Sequence, residues 1–147
     1  MQMEQIEPGQ NWLNKINANF AKLGVQDEST TSYVLLNGVT RLDGNNSPII
    51  KRPLLGGTSE KTWQLGVHIP RIPVHSDVAF AKVPNGFEEN YQPWVGIFPV
   101  GQAGHIVGAL SVYFTNHPNE LHFFYDTTVA NPTDLTNAEV NLPLTWH

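Results

Sequence analysis

The sequence predicts a mainly β protein, in which a short N-terminal α-helix precedes an antiparallel β-sandwich or jelly-roll-like head. Helical periodicity of apolar residues is confined to residues 1–24. After them, short runs of β-branched and aromatic residues are separated by Gly, Pro and Asn at intervals of roughly 8–14 residues, which is typical of a sandwich. Since 40% of the 147 residues are apolar, the chain can form the core that such a body needs.

Residues 1–24 are the predicted helical attachment and oligomerisation segment. Its apolar residues share one helical stripe, which consists of Trp12, Ile16, Phe20 and Leu23. Gly24 follows at the position where a left-handed C-terminal cap is favoured. Because a lone helix of about a dozen residues is marginal in water, the stripe must pack against the β-body or against another copy of the chain.

The polar residues 25–32 predict a hinge, and residues 33–147 are the predicted β-body. Turns are expected where Gly, Asn and Pro cluster, at 43–46, 56–57 and 84–86. The runs between turns predict eight strands, at 33–39, 47–55, 62–69, 76–83, 94–100, 105–115, 120–129 and 138–146. The glycines within 101–104 are interpreted as part of a turn between two of these strands.

Charge is scarce and unevenly distributed. Charged residues make up 14% of the chain, and all eight Lys and Arg residues occur at or before Lys82. The last 65 residues contain six carboxylates, no Lys or Arg, and ten of the fifteen aromatic residues. A surface without cations cannot neutralise phosphates, which argues against nucleic acids and anionic polymers as ligands of this half. Two explanations of the low charge remain, namely burial between subunits and a surface for a neutral ligand.

The sequence also argues against several other classes of protein. There is no cysteine, so disulfides, thiolate metal sites and cysteine nucleophiles are excluded. The N-terminus has neither the basic region nor the apolar run of a secretory signal. No stretch approaches the roughly 18 apolar residues of a membrane span. We therefore expect a protein that is made in a cytoplasm and leaves it only within a larger particle.

Histidines and carboxylates show no metal or catalytic motif. His122 and Asp126 are four residues apart, but on the predicted strand they would lie about 13 Å from each other. A metal on a symmetry axis, with one histidine from each subunit, stays open. Glu88 and Glu89 are adjacent and would face opposite ways, whereas glycosidase carboxylates must converge on one bond. We expect no catalytic residue, no cofactor and no intrachain metal site.

Aromatic residues beside the predicted turns are the remaining binding candidates. Pyranose CH faces stack on aromatic rings, and sugar hydroxyls form hydrogen bonds with amides and carboxylates. The candidate saccharide contacts lie in or beside the loops of the body and are Trp63, Glu89, Asn90, Tyr91, Gln92 and Trp94. For Trp63 and Trp94 the alternative is a place in the core or in a subunit interface.

Three segments resemble one group of viral proteins. Residues 11–20, with Trp12 and Asn17-Ala18-Asn19-Phe20, resemble a helix near the N-terminus of tail-fibre, baseplate and receptor-binding proteins of phages infecting Gram-positive bacteria. Residues 33–39 resemble the strand that begins their β-head, and 83–93 their proline-glycine-aromatic element. Here residues 88–92 displace the second proline of that element, and the repeats or coiled coil of a long fibre are absent, which favours a compact subunit.

The resemblance implies a homotrimer that attaches to a virion through its N-terminus and presents a β-head to host cell-wall saccharide. It implies no catalytic residues. We therefore expect a virion structural protein of the receptor-binding, short tail-fibre or baseplate kind, with itself and other virion proteins as partners and without membrane insertion. The alternative is a virion subunit without receptor activity, such as a head fibre, decoration or collar protein. A glycan-processing enzyme is the third hypothesis, and turnover of cell-wall glycan would indicate it.

We expect the Phe20→Asp substitution to weaken assembly and to leave the β-body folded. Burying the four side chains of the stripe stabilises by about 6–10 kcal/mol before entropy, and a carboxylate at its centre opposes that burial. Light scattering should detect a homotrimer for the unaltered chain and smaller species for the variant. A monomer at micromolar concentration for the unaltered chain would contradict the prediction.

Overall fold

The computed structural model describes residues 26–42, 46–115 and 117–147. Their fold is mainly β, as predicted. In chain order the strands are β1 (Glu28–Thr30), β2 (Val34–Leu35), β3 (Thr40–Arg41), β4 (Ile49–Pro53), β5 (Ser59–Ile72), β6 (Asp77–Lys82), β7 (Trp94–Gln102), β8 (His105–Phe114), β9 (Glu120–Asp126) and β10 (Leu135–Trp146). The predicted helix, with Trp12, Ile16, Phe20 and Leu23, lies outside the described residues.

The strands form two antiparallel sheets of five strands each. Sheet A has the order β1-β4-β5-β10, and β3 pairs with the second half of β5. Sheet B has the order β2-β6-β9-β8-β7. The two sheets form a sandwich-like pair of layers, with β10 of sheet A packed near β7 of sheet B. The chain crosses between the sheets four times, after β1, β2, β5 and β9.

One hydrophobic core lies between the sheets, and alternation along the strands builds it. In sheet A the inward residues of β5 and β10 stand opposite each other in the register Trp63↔Leu144, Leu65↔Leu142 and Val67↔Val140. Sheet B contributes the inward residues Phe80, Leu110, Val112, Leu121 and Phe123, which are fully buried. Every second residue of these strands therefore faces outward, away from the core.

Each of the eight predicted strand segments overlaps an observed strand, and 62–69 lies wholly within the longer β5. The segment 33–39 contains only β2, because the turn at Asn37-Gly38, with positive φ at both residues, ends the pairing. Within the predicted hinge, residues 28–30 form β1 and pair with β4, for example Ser29 with Ile50. The segment 101–104 contains the predicted turn, in which Ala103 and Gly104 have the positive φ angles of a tight hairpin between β7 and β8.

The last residues of the described chain hold the loop between β6 and β7. Trp146 is buried, and its indole Nε1 donates a 2.9 Å hydrogen bond to the carbonyl oxygen of Phe87. The backbone N–H of Asn90 donates to the carbonyl oxygen of His147 at 2.9 Å. These bonds secure the loop at one end of the sandwich.

At the other end of sheet A, Asp134 ties the start of β10 to the end of β5. Its carboxylate accepts a 3.0 Å hydrogen bond from the backbone N–H of Val74 and two from the Arg71 guanidinium, at 2.8 and 2.6 Å. The hydrogen bond from Val74 lowers the pKa of Asp134, and Arg71 acts in the same direction.

Lys61 is the buried charged residue of the core, on β5 between Lys51 of β4 and Trp146 of β10. Its ammonium Nζ has no hydrogen-bond partner within the described ranges. Burial lowers the pKa of Lys61, and the charge of Lys51 adds to this, while Glu88 and Glu89 partly oppose it. The folded state thus disfavours the protonated amine.

We expect Lys61→Met to raise the free energy of unfolding by about 1–3 kcal/mol at neutral pH, the usual cost of an unsatisfied buried polar group. Because the folded pKa lies below that of the unfolded chain, the unfolded state binds the proton more tightly, and the stability of the unaltered protein rises as the pH approaches 10.5. The gain from the substitution should therefore shrink over the same range.

Urea denaturation at neutral and alkaline pH measures both effects. Lys82→Met, which alters an exposed lysine, is the matched control and should change the midpoint little. A lower urea midpoint for Lys61→Met would show that the lysine stabilises the fold.

Candidate functional site

The outward faces of the two sheets differ in character. The outward face of sheet A is mostly polar. Its residues include Arg52, Glu60, Thr62, Gln64, His68, Glu139, Asn141 and Thr145. The outward face of sheet B is aromatic or apolar along much of β7 and β8, with Trp94, Ile97, Pro99, Ala109 and Tyr113. An antiparallel sheet with one solvated face is expected to be polar there. The outer face of sheet B is therefore the surface that calls for an explanation.

Strand register places one row of rings across this face. Trp94 stands opposite Tyr113, Tyr113 opposite His122, and His122 opposite Ala79. The Trp94 and Tyr113 rings are nearly parallel, at 4° and 6.4 Å between centroids, and the Tyr113 and His122 rings are 6.1 Å apart. Trp94 is 46% exposed. The row thus presents an aromatic surface, which we call the Trp94–Tyr113 platform.

A second row lies beside the first and carries a carboxylate to the platform. It consists of Ile97, Ser111, Phe124 and Asp77. Asp77 is two residues before Ala79 on β6 and so shares its face. Because Ala79 is small, the imidazole of His122 can reach the Asp77 carboxylate.

Hydrogen bonds join Asp77 of the second row to Tyr113 and His122 of the first row. The Tyr113 hydroxyl donates to Asp77 Oδ1. His122 Nδ1 lies 2.8 Å from Asp77 Oδ2, and His122 Nε2 lies 2.6 Å from Glu120 Oε1. The result is a network that crosses β6, β9 and β8 and fixes the two carboxylates.

The surroundings of Tyr113 favour its protonated form. Burial raises the pKa of Tyr113 above its ordinary value, and the hydrogen bond to Asp77 and the charge of Asp77 raise it further. The phenol therefore keeps its proton at neutral pH. Among the described residues no group of three His, Asp or Glu side chains is arranged to hold a metal ion.

An open cleft of about 520 Å³ lies at the end of the sandwich next to the platform. It is lined by Glu89, Pro93, Phe114, Thr115 and Pro118. The loop before β7 and the loop after β8 form its walls, and the backbone N–H of Glu89 joins them by donating to the carbonyl oxygen of Pro118 at 3.1 Å. Since Trp94 follows Pro93 and Tyr113 precedes Phe114, the cleft and the platform adjoin.

An apolar groove of about 430 Å³ extends along β7 and β8 from the second row toward their hairpin. Its exposed side chains are Ile97, Ile106 and Val129, which are 63%, 76% and 51% exposed. Asp126 and Thr127 supply its polar margin. An exposed apolar patch of this kind fits a protein contact better than a sugar.

The predicted saccharide contacts separate into two sets. Trp94 is on the platform, and Glu89, Asn90, Tyr91 and Gln92 are in the adjoining loop, with Glu89 lining the cleft. Tyr91 is 69% exposed. Among the described residues, the ring that stacks with Trp94 is that of Tyr113 and not that of Tyr91.

The prediction that Trp63 is a saccharide contact at the surface was wrong. It is fully buried in the core, where its ring packs against Tyr33 at 4.3 Å between centroids. Its indole Nε1 donates to the carbonyl oxygen of Ser47 at 3.1 Å. Trp63 is instead a core residue, which was the alternative prediction, because the alternation along β5 points its side chain inward between the sheets.

Sequence reasoning missed Asp77, Tyr113, Glu120 and His122. Tyr113 and His122 alternate with buried residues on β8 and β9, which is the one signal that could have placed them outside. Asp77 and His122 are 45 positions apart in the chain, so no local motif joins them.

The chain matches no protein-family model, no curated protein and no solved structure. In the described ranges no helix is long and apolar enough to cross a membrane.

We expect the two tryptophans to respond oppositely to truncation. Trp63→Ala should lower the free energy of unfolding by about 3–5 kcal/mol, as for a large core side chain. Trp94→Ala should lower it by less than about 1 kcal/mol, as for a surface position. Urea denaturation measures both, and a loss for Trp94→Ala as large as for Trp63→Ala would identify Trp94 as a core residue.

Proposed function

We propose that the chain is a virion structural subunit of the receptor-binding, short tail-fibre or baseplate kind, and that its β-body binds saccharide of the host cell wall. The observation that carries the proposal is the Trp94–Tyr113 platform beside a fixed carboxylate on the outer face of sheet B. The resemblance of residues 11–20, 33–39 and 83–93 to phage proteins supports the virion assignment.

Platform and carboxylate together match the chemistry of a sugar. The apolar face of a pyranose stacks on an exposed ring, and its hydroxyls donate to acceptors at the ring edge. Trp94 supplies the exposed ring, and Asp77, with a side chain 49% exposed, supplies an acceptor. The adjoining cleft, with Glu89 on its wall, offers room for a second sugar unit.

The charge of this surface favours a neutral ligand. The outer face of sheet B includes the carboxylates Asp77, Glu120 and Asp126, while Lys82, opposite Glu120 in register, lies at its margin. An anionic polymer would meet more carboxylates than cations there. Binding should therefore depend little on salt concentration.

Multivalency would raise a weak affinity at each site. We propose a homotrimer joined through the N-terminal stripe, attached to other virion proteins and made in the host cytoplasm. Several platforms on one trimer or one particle then bind the same wall polymer, and the avidity exceeds the affinity of a single site.

A virion subunit without receptor activity, such as a head fibre, decoration or collar protein, is the second candidate. The groove of Ile97, Ile106 and Val129 favours it, because exposed apolar side chains on the same face fit a neighbouring protein. The two candidates differ in what the outer face of sheet B contacts.

We expect a fluorescent protein fused before residue 1 to label cells from a panel of Gram-positive bacteria. Trp94→Ala should reduce labelling about tenfold, equivalent to about 1.4 kcal/mol, because the stacking ring is lost. Labelling should change little between low and physiological salt.

Ile106→Asp is the matched control, since it alters the same sheet face away from the platform, and it should leave labelling intact. A steep loss of labelling with salt would indicate an anionic receptor. If no cell is labelled while Ile106→Asp blocks incorporation into particles, the non-receptor subunit is the correct function.

A further inference from the structure

We infer that Asp77 sets the specificity of the platform: it admits ligands with hydroxyl or amino groups beside the stacked ring and rejects ligands with carboxylate, phosphate or sulfate there. The inference rests on the proposed saccharide site. It names the chemical class of the sugar, which the platform alone does not.

Asp77 is held in place by donors from two other strands. His122 of β9 approaches Oδ2 at 2.8 Å, and the Tyr113 hydroxyl of β8 donates to Oδ1. A carboxylate offers about four acceptor positions, so each oxygen keeps capacity for another donor. The side chain is 49% exposed, so these positions are open to solvent and to a ligand.

The neighbours of Asp77 extend this preference for donors. The Tyr113 hydroxyl uses its proton on Asp77, which leaves its oxygen as an acceptor. Glu120 has one oxygen on His122, and its second oxygen remains an acceptor. The polar edge of the platform is therefore made of acceptors, and a bound sugar must supply the hydrogens.

Donors do occur elsewhere on the face, and their positions support the same conclusion. His75 stacks on Phe124, but its Nε2 lies 3.3 Å from Asp126 Oδ1 and so faces that carboxylate. Lys82 stands opposite Glu120, two residues along β9 from His122, and so lies nearer to Glu120 than to Asp77. Ser111 stands opposite Phe124 in the second row. His122 is engaged with carboxylates at both of its nitrogens. An anion at Asp77 would thus face a carboxylate that these groups leave exposed.

His122 and Tyr113 act as positioning residues for Asp77. Without the Tyr113 hydroxyl the carboxylate would keep its charge and lose one of its two fixed donors. Its orientation toward a sugar hydroxyl would become less defined. The repulsion of an anion would stay the same.

Two forms of one polymer test the inference. The probes are neutral wall polysaccharide from a labelled bacterium, and the same preparation after oxidation of its primary hydroxyls to carboxylates. The full-length chain should bind the neutral form at least about tenfold more tightly, the scale of one close exposed charge contact. Calorimetry or surface plasmon resonance gives the affinity ratio.

Asp77→Asn should narrow this ratio to within about threefold, since the amide is uncharged and can also donate. The matched control is Asp126→Asn, which removes a carboxylate from the same face and should keep the ratio. Tyr113→Phe should weaken the neutral form a few-fold and leave the oxidised form unchanged, a change of ratio that altered stability does not produce. If Asp77→Asn does not fold, Asp77→Ser replaces it.

The outcomes distinguish a failure of the specificity inference from a failure of the proposed saccharide-binding function. If the unaltered chain binds both forms equally, the specificity inference is wrong and the saccharide site stands. If Asp77→Asn and Asp126→Asn narrow the ratio equally, general charge rather than Asp77 is responsible, and the inference is again wrong. If neither form binds, the proposed function fails and the inference fails with it.

Discussion

The register among β7, β8 and β9 is the constraint on which both the core and the candidate site depend. Side chains alternate between the faces of a strand, so a slip of one residue exchanges every inward residue for an outward one. In β8 such a slip would turn Tyr113 into the core and Val112 toward solvent. The buried residues Leu110, Val112, Leu121 and Phe123 oppose this slip, because their burial is lost with it. The core thereby holds the platform together.

The strands were largely predictable from sequence, because turn residues separate short β-branched runs and each predicted run overlaps a strand. The pairing of β1 was not predictable, since Glu28-Ser29-Thr30 is as polar as a hinge and its partner β4 lies twenty residues away. Edge strands need little apolar character of their own. Local composition therefore fails to predict such edge strands.

The candidate site was predicted only in part, for a related reason. Trp63 and Trp94 look alike in the sequence, and only the three-dimensional register shows that one is inside and one outside. The aromatic run of β9 hides its own alternation, because Phe123 and Tyr125 face the core while His122 and Phe124 face outward. When apolar residues occupy both faces of a strand, apolar and polar residues no longer alternate in the sequence, and the inward face cannot be identified from it.

The hydrogen bonds from Trp146 to Phe87 and from Asn90 to His147 have a practical consequence for reagents built on this protein. They bring the end of the described chain against the loop that borders the cleft. A dye coupled at His147 would sit beside this loop and respond to changes in its surroundings. His147 is thus a position from which a small reporter can follow the loop that borders the cleft.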